Sequence, residues 1–182
     1  MTAVLDSPSN GDAARVGTGI PQGAVALDDT DRKIIAILQA DGRRSYVWIA
    51  RRVGVSEGTA RNRVRRLLNS SLLQIVGIAD PLRLGFGMMA LVGIRVRPGC
   101  AQDVCRELVA IPETSYVVMA TGPFDVFAEL VCRDLASYTE VLTGRIHRID
   151  GVTSAESFVL LDIYKLAYGW GVGEVNTPPL EV

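Results

Sequence analysis

The stretch that most constrains this chain is Ser56–Leu68, SEGTARNRVRRLL. Ala60, Val64, Leu67 and Leu68 recur at i, i+4, i+7 and i+8, which draws one narrow apolar stripe along a helix. Ser56 stands where its hydroxyl can accept from an orphan backbone N–H, and Glu57 meets the positive end of the helix dipole. The remaining surface carries Gly58, Thr59, Asn62, Arg65 and Arg66, with Arg61 and Arg63 at its flanks. So many arginines beside so narrow a stripe call for an anion. Just upstream, Ser45–Val53 reads as a second short amphipathic helix with Val47, Ala50 and Val53 inward. It stops at Gly54, whose freedom to take a left-handed backbone suits a sharp turn. Helix, three-residue turn, helix with a polar N-terminal half is the helix-turn-helix pattern, whose second helix enters the major groove of DNA by its N-terminal end.

Charge distribution agrees. From Asp41 to Ser70, Arg43, Arg44, Arg51, Arg52, Arg61, Arg63, Arg65 and Arg66 face only Asp41 and Glu57, a balance of +6 in a chain whose total is −1. A basic segment inside an otherwise acidic protein is the footprint of a nucleic-acid module joined to something else. The 48% apolar content supplies buried cores. No run approaches a membrane span and the N-terminus lacks a signal-peptide core, so a cytoplasmic protein, working at the nucleoid, is expected. Cys100, Cys105 and Cys132 lack Cys-x-x-Cys spacing and read as reduced, buried apolar residues. With His147 as its one imidazole, the sequence offers no metal site.

The chain divides into a flexible arm (1–26), a helix-turn-helix domain (27–73), a connecting strand and linker (74–87), a second domain (88–168) and a tail (169–182). Leu27–Ala40 is the first helix, capped by Asp28 or Asp29, with Thr30 and Asp31 in its polar first turn, Ile34, Ile35, Ile37 and Leu38 buried, and Asp41-Gly42 ending it. It completes a three-helix unit whose edge Tyr46 or Trp48 can cover. Leu72–Ala79 is rich in β-formers and reads as a connecting strand, before the linker Leu82–Gly87.

The second domain alternates regularly. Strands are expected over Met88–Val96, Thr114–Thr121, Phe124–Cys132 and Val152–Leu166. Helices are expected over Ala101–Ile111 (Val104, Leu108 and Ile111 inward) and Asp134–Ile149 (Leu135, Tyr138, Leu142 and Ile146 inward). The order βαββαβ is the ferredoxin-like arrangement, so the whole chain is of the α+β class. Phe124, Val126, Ala128, Leu130 and Cys132 form the helix-covered face of one strand, opposite Asp125, Phe127, Glu129 and Val131. The second face, with Met89 and Leu91 beside it, is too apolar for water, so a second copy of the chain is expected to cover it.

Together these stretches resemble the Lrp/AsnC (leucine-responsive/asparagine-regulator) family of transcription regulators. The resemblance runs from about Leu27 to Tyr168 through LDDTDRKIIAILQADGRRSY, IARRVGVSEGTARNRVRRL, ADPLRLGF, MATGPFDVFAELVC and IDGVTSAESFVLL, in that order. It implies a winged-type helix-turn-helix joined to a βαββαβ domain for dimerisation and small-molecule sensing. It implies that Gly58, Thr59, Asn62 and Arg63 face the groove behind Ser56, and that Arg44, Arg51, Arg61, Arg65 and Arg66 meet phosphates. It implies partners: double-stranded DNA, and itself as a homodimer, tetramer or octamer. It also puts an effector site between subunits near Thr121, Gly122, Pro123, Phe124 and Asp125. There the backbone N–H groups of Gly122 and Phe124 suit a carboxylate and Asp125 suits an ammonium, which is an amino-acid effector and no other cofactor. The same residues equally suit a tight turn whose Asp caps backbone. The chain departs from the family at Glu57 (usually Pro), Ser71 (usually Gly) and Ala155 (commonly Thr). A nucleoid protein that organises DNA without an effector is the alternative. An enzyme on the ferredoxin-like fold finds no nucleophile beside a base, and His147 sits between Arg145 and Arg148 on a solvated helix face.

Overall fold

The computed structural model describes residues 26–165. They separate into a head, residues 26–77 with Lys165, and a second unit, Ile78–Tyr164. The expected arm (except Ala26) and tail lie outside the described residues.

The head holds α1 (Asp29–Ala40), α2 (Tyr46–Val53) and α3 (Glu57–Asn69). Ile34, Ile35, Leu38, Ile49, Ala50, Ala60, Val64, Leu67 and Leu73 form its core. The inner face of α2 is Ile49 and Ala50, whereas Val47 is 42% exposed. Residues three apart drift by about 60° around a helix, so over the six residues from Val47 to Val53 a three-residue spacing leaves the buried face. Asp28 caps α1 in a reciprocal box: its side chain accepts the Asp31 N–H at 2.8 Å, and the Asp31 side chain accepts the Asp28 N–H at 3.3 Å. Ser71 has φ +56, so the turn after α3 is left-handed without a glycine. No strand forms over 72–79. Ile75, Val76 and Ile78 are 48%, 64% and 58% exposed, and the segment pairs with none of the described strands. β-forming residues make a strand only where a neighbour takes their backbone hydrogen bonds.

The second unit runs β1 (Met88–Val96), α4 (Ala101–Val109), β2 (Thr114–Met119), β3 (Val126–Cys132), α5 (Leu135–Gly144), a 3₁₀ turn (Ile146–Arg148) and β4 (Val152–Val159). The sheet order is β2-β3-β1-β4. All three pairings are antiparallel, with Val92 of β1 opposite both Ala128 and Ser157. Ala90, Val92 and Ile94 meet Val126, Ala128, Leu130 and Cys132 under Val104, Leu108, Tyr138, Val141 and Ile146. α5 stops five residues short of Ile149, and the 3₁₀ turn buries Ile146 instead. Leu135, in the first turn beside the Asp134 cap, is 66% exposed, and Val141 takes the inward role. β4 ends at Val159 rather than Leu166. The opposite sheet face carries Met89, Leu91, Gly93, Phe127, Val131 and Phe158, alternating with the core residues of the same strands.

Candidate nucleic-acid interface and effector loop

Local chemistry fixes the two helices of the head at their turn. Gly54 closes α2 in the left-handed region at φ +79, and the N–H groups of Gly54 and Val55 both donate to the Ala50 carbonyl. Ser56 then starts α3, its Oγ accepting the Thr59 N–H at 3.2 Å and lying 2.8 Å from the Thr59 hydroxyl. Ser45 does the same for α2, accepting the Trp48 N–H at 3.3 Å. With Ala60, Val64 and Leu67 buried, Gly58, Asn62 and Arg65 project from the opposite side of α3 and are exposed. Thr59, Asn62, Arg63 and Arg66 line a shallow depression beside them.

The arginines of the head fall into two groups. Arg63 turns toward α1: its Nη1 lies 2.6 Å from Oδ2 of Asp28 and 2.9 Å from Oδ1 of Asp31. Arg66 binds the other Asp31 oxygen. Asp31 is 1% exposed, so its charge is buried and answered by two guanidiniums. The Asp31 backbone N–H, and then Arg63, hold the Asp28 carboxyl below the usual carboxylate range, and the two aspartates raise the pKa of Arg63 in return. Arg61 pairs with Glu57 at 2.5 Å and stacks 5.4 Å over the Tyr46 ring. Arg44 stacks 4.7 Å over Trp48 and pairs with Asp41 at 3.2 Å. Arg51, Arg52 and Arg65 make no ion pair among the described residues.

The expected groove-facing set is therefore split. Of that set Gly58, Thr59 and Asn62 share the exposed side of α3, where Arg65 from the phosphate set joins them, while Arg63 is held on the flank by α1. Asp31, expected in the polar first turn of α1, is buried there, which its place in the turn does not reveal. The signal was the pair Asp28 and Asp31, spaced as a capping box, followed some thirty residues later by two arginines three apart.

In the second unit, Thr121 and Gly122 are exposed at a turn where Gly122 takes φ +126. Phe124 leaves the strand pattern. It is 7% exposed, but it lies over Gly93 on the sheet face away from the helices, because β3 begins only at Val126 and residue 124 still belongs to the turn. Its ring meets Phe127 at 5.5 Å and Phe158 at 5.9 Å, both edge-on. Arg95 sits 5.3 Å over the same ring, donates to the Pro123 carbonyl at 2.9 Å and reaches Glu156 at 3.4 Å. Asp125 accepts the Val96 N–H at 2.8 Å, just where the β1–β4 register shifts between Arg95 and Val96. One carboxylate oxygen of Asp125 thus caps backbone across the sheet rather than within its own turn. The N–H groups of Gly122 and Phe124 donate no hydrogen bond among the described residues.

Cys100, Cys105 and Cys132 are free thiols, and burial pushes the last two up in pKa. Among the described residues no group of three or more His, Cys, Asp or Glu could hold a metal ion, and no helix is long and apolar enough to cross a membrane.

The sequence profile of an AsnC-type helix-turn-helix domain matches residues 27–68. That of an Lrp/AsnC ligand binding domain matches residues 89–170. Over 145 residues the chain is 34% identical to an uncharacterized HTH-type transcriptional regulator of Pyrococcus abyssi, covering 79% of this chain and 92% of that protein. It is similar in structure to the leucine response regulatory protein LrpA of Mycobacterium tuberculosis, with TM-score 0.73 and 26% identity over 81% of this chain and 100% of that one. Its fold is also that of a Neisseria meningitidis transcriptional regulator solved in complex with L-Met, with TM-score 0.71 and 23% identity over 83% of this chain and 98% of the other.

Proposed function

The chain belongs to the Lrp/AsnC family of transcription regulators, and on that premise we propose that it reads operator DNA with α3 and answers to an amino acid at the 121–125 loop. The observation that carries the first half is the exposed side of α3. There Asn62 and Arg65 stand opposite a fully buried stripe, with Arg51 and Arg52 on α2, and none of the three arginines has an ion-pair partner among the described residues. Asn62 has the amide that pairs with adenine in the major groove, and Arg51, Arg52 and Arg65 are free to meet phosphates. Arg44 and Arg61, stacked on Trp48 and Tyr46, present guanidiniums already restrained against rotation.

A second copy covers the apolar face of Met89, Leu91, Phe127, Val131 and Phe158, so that two heads meet two half-sites related by two-fold symmetry. The N–H groups of Gly122 and Phe124, which have no acceptor among the described residues, support an effector bearing a carboxylate, and the second oxygen of Asp125 supports its ammonium. The L-Met complex of the Neisseria meningitidis regulator supports the same class of ligand. The protein works in the cytoplasm, where its DNA is, and carries out no catalysis.

The test is binding of the purified chain to DNA upstream of its own gene, at two salt concentrations, with and without a panel of amino acids. Tight, salt-sensitive binding that one amino acid changes is the expected result. Binding that every amino acid leaves unchanged removes the effector half and leaves the regulator. Undiminished operator binding after Asn62→Ala and Arg65→Ala together would overturn the role of α3. A shallow ratio between operator and bulk DNA would favour an organising protein over a regulator of particular genes.

A further inference from the structure

We infer that Asp28 is a positioning residue that acts through Arg63, limiting the charge the recognition helix offers to DNA and so setting the ratio of specific to non-specific binding. The inference rests on the DNA-binding reading of α3. Two of the four arginines on that helix, Arg63 and Arg66, are answered inside the head by Asp28 and Asp31, so the cluster is neutral. Its two carboxylates are not equivalent. Asp31 is buried, at 1% side-chain exposure, and both its oxygens are taken, one by Arg63 and the other by Arg66. Asp28 is 53% exposed, and Arg63 is its one ion-pair partner among the described residues. Of the two holds on Arg63, the one that solvent or a phosphate can contest is therefore that of the exposed Asp28, not that of the buried Asp31.

Arg63 also lines the depression that contains Thr59 and Asn62. A guanidinium released there would stand beside the candidate base-reading side chain and meet phosphate whatever the sequence. Asp28 occupies the place of that phosphate. It removes one non-specific contact from α3 and leaves discrimination to Asn62 and its neighbours, since phosphate contacts add affinity without choosing sequence.

The cap role of Asp28 can be separated from its charge. Asparagine and serine also accept the Asp31 N–H as N-caps, but they carry no charge to hold Arg63. In the full-length chain, Asp28→Asn is expected to steepen the log–log salt dependence of binding to random-sequence duplex DNA by about one ion, and to tighten that binding roughly threefold. The operator-to-random ratio falls accordingly. In an Arg63→Gln background the same substitution is expected to change neither quantity, because the residue through which it acts is gone. Arg66 still answers Asp31 in that background, and the glutamine amide can donate to it.

An unchanged slope in Asp28→Asn overturns the inference. So does an equal steepening with and without Arg63, which would make Asp28 a direct repulsive charge. Should Arg63→Gln fail to fold, Asp28→Asn and Asp28→Ser decide on the native background: a steeper slope in both supports the inference, and an unchanged slope in both overturns it. A native chain that binds neither duplex overturns the DNA reading itself, whereas native binding with an unaltered variant slope overturns Asp28 alone.

Discussion

The ring of Phe124 lies directly on the backbone of Gly93, so that a Cβ at residue 93 would come within 2.8 Å of the ring's Cγ and Cδ2. That contact lets Phe124 fold flat across β1 and bring the 121–125 turn over the sheet face that Phe127 and Phe158 share. Gly93→Ala must displace the ring, since the central strand backbone beneath it cannot retreat. The expected cost is about 1–3 kcal/mol, as for an overpacked core, read from denaturant unfolding. Adding Phe124→Leu to Gly93→Ala should recover part of it. An alanine tolerated without loss would mean that the ring is free to leave.

Ser71 holds the turn after α3 at φ +56. A left-handed backbone costs a residue with a Cβ about 1–2 kcal/mol, while glycine loses about 0.5–1 kcal/mol through its freer unfolded chain. Ser71→Gly is therefore expected to stabilise the head by a few tenths to about 1 kcal/mol, measured as a rise in thermal midpoint, with DNA affinity unchanged. A fall in midpoint would mean that the serine side chain contributes more than its backbone strain removes.

What could be read from the sequence was whatever local periodicity encodes. Ala60, Val64 and Leu67 are buried as their spacing requires, the β1 boundaries fall at Met88 and Val96, and β3 alternates from Val126 to Cys132. What could not be read depended on partners distant in sequence. Arg63 looks like any exposed arginine until Asp28, thirty-five residues earlier, is brought beside it by helix packing. Phe124 fits the strand alternation by number, yet the turn of Gly122 and the empty space above Gly93 draw it to the other face. The segment 72–79 has strand composition, but composition cannot supply the neighbour that a ladder needs.

Acid should weaken both units. The carboxyls of Asp28 and Asp134 lie below their ordinary value of 3.8, the first chiefly through the Asp31 backbone N–H and then Arg63, the second chiefly through the backbone N–H and hydroxyl of Ser137. A folded pKa below the unfolded one gives stability that is present above pH 3.8 and lost as pH falls through the lower folded value. The unfolding midpoint should be flat near neutrality and drop once pH passes below the ordinary carboxylate range. Asp28→Asn, which keeps the cap and cannot titrate, should flatten that drop for the head. An identical acid profile in the variant would mean that other carboxyls govern it.

Asn62 and Arg65 stand on the same exposed side of α3, but their chemistry separates their effects. An amide can pair with one base edge in two-point fashion and reads sequence, whereas a guanidinium with no ion-pair partner among the described residues is drawn to any phosphate. Asn62→Ala should weaken operator binding by about 1–3 kcal/mol, relax preference at one base pair of each half-site, and leave binding to random-sequence DNA unchanged. Arg65→Ala should weaken operator and random DNA alike and reduce the salt slope by about one ion. Side-by-side titrations of both variants on operator, single-base-changed operators and random duplex decide the matter. If Arg65→Ala alone alters base preference while Asn62→Ala acts uniformly, the guanidinium is the base reader, and α3 enters the groove rotated from the pose in which Asn62 faces the bases.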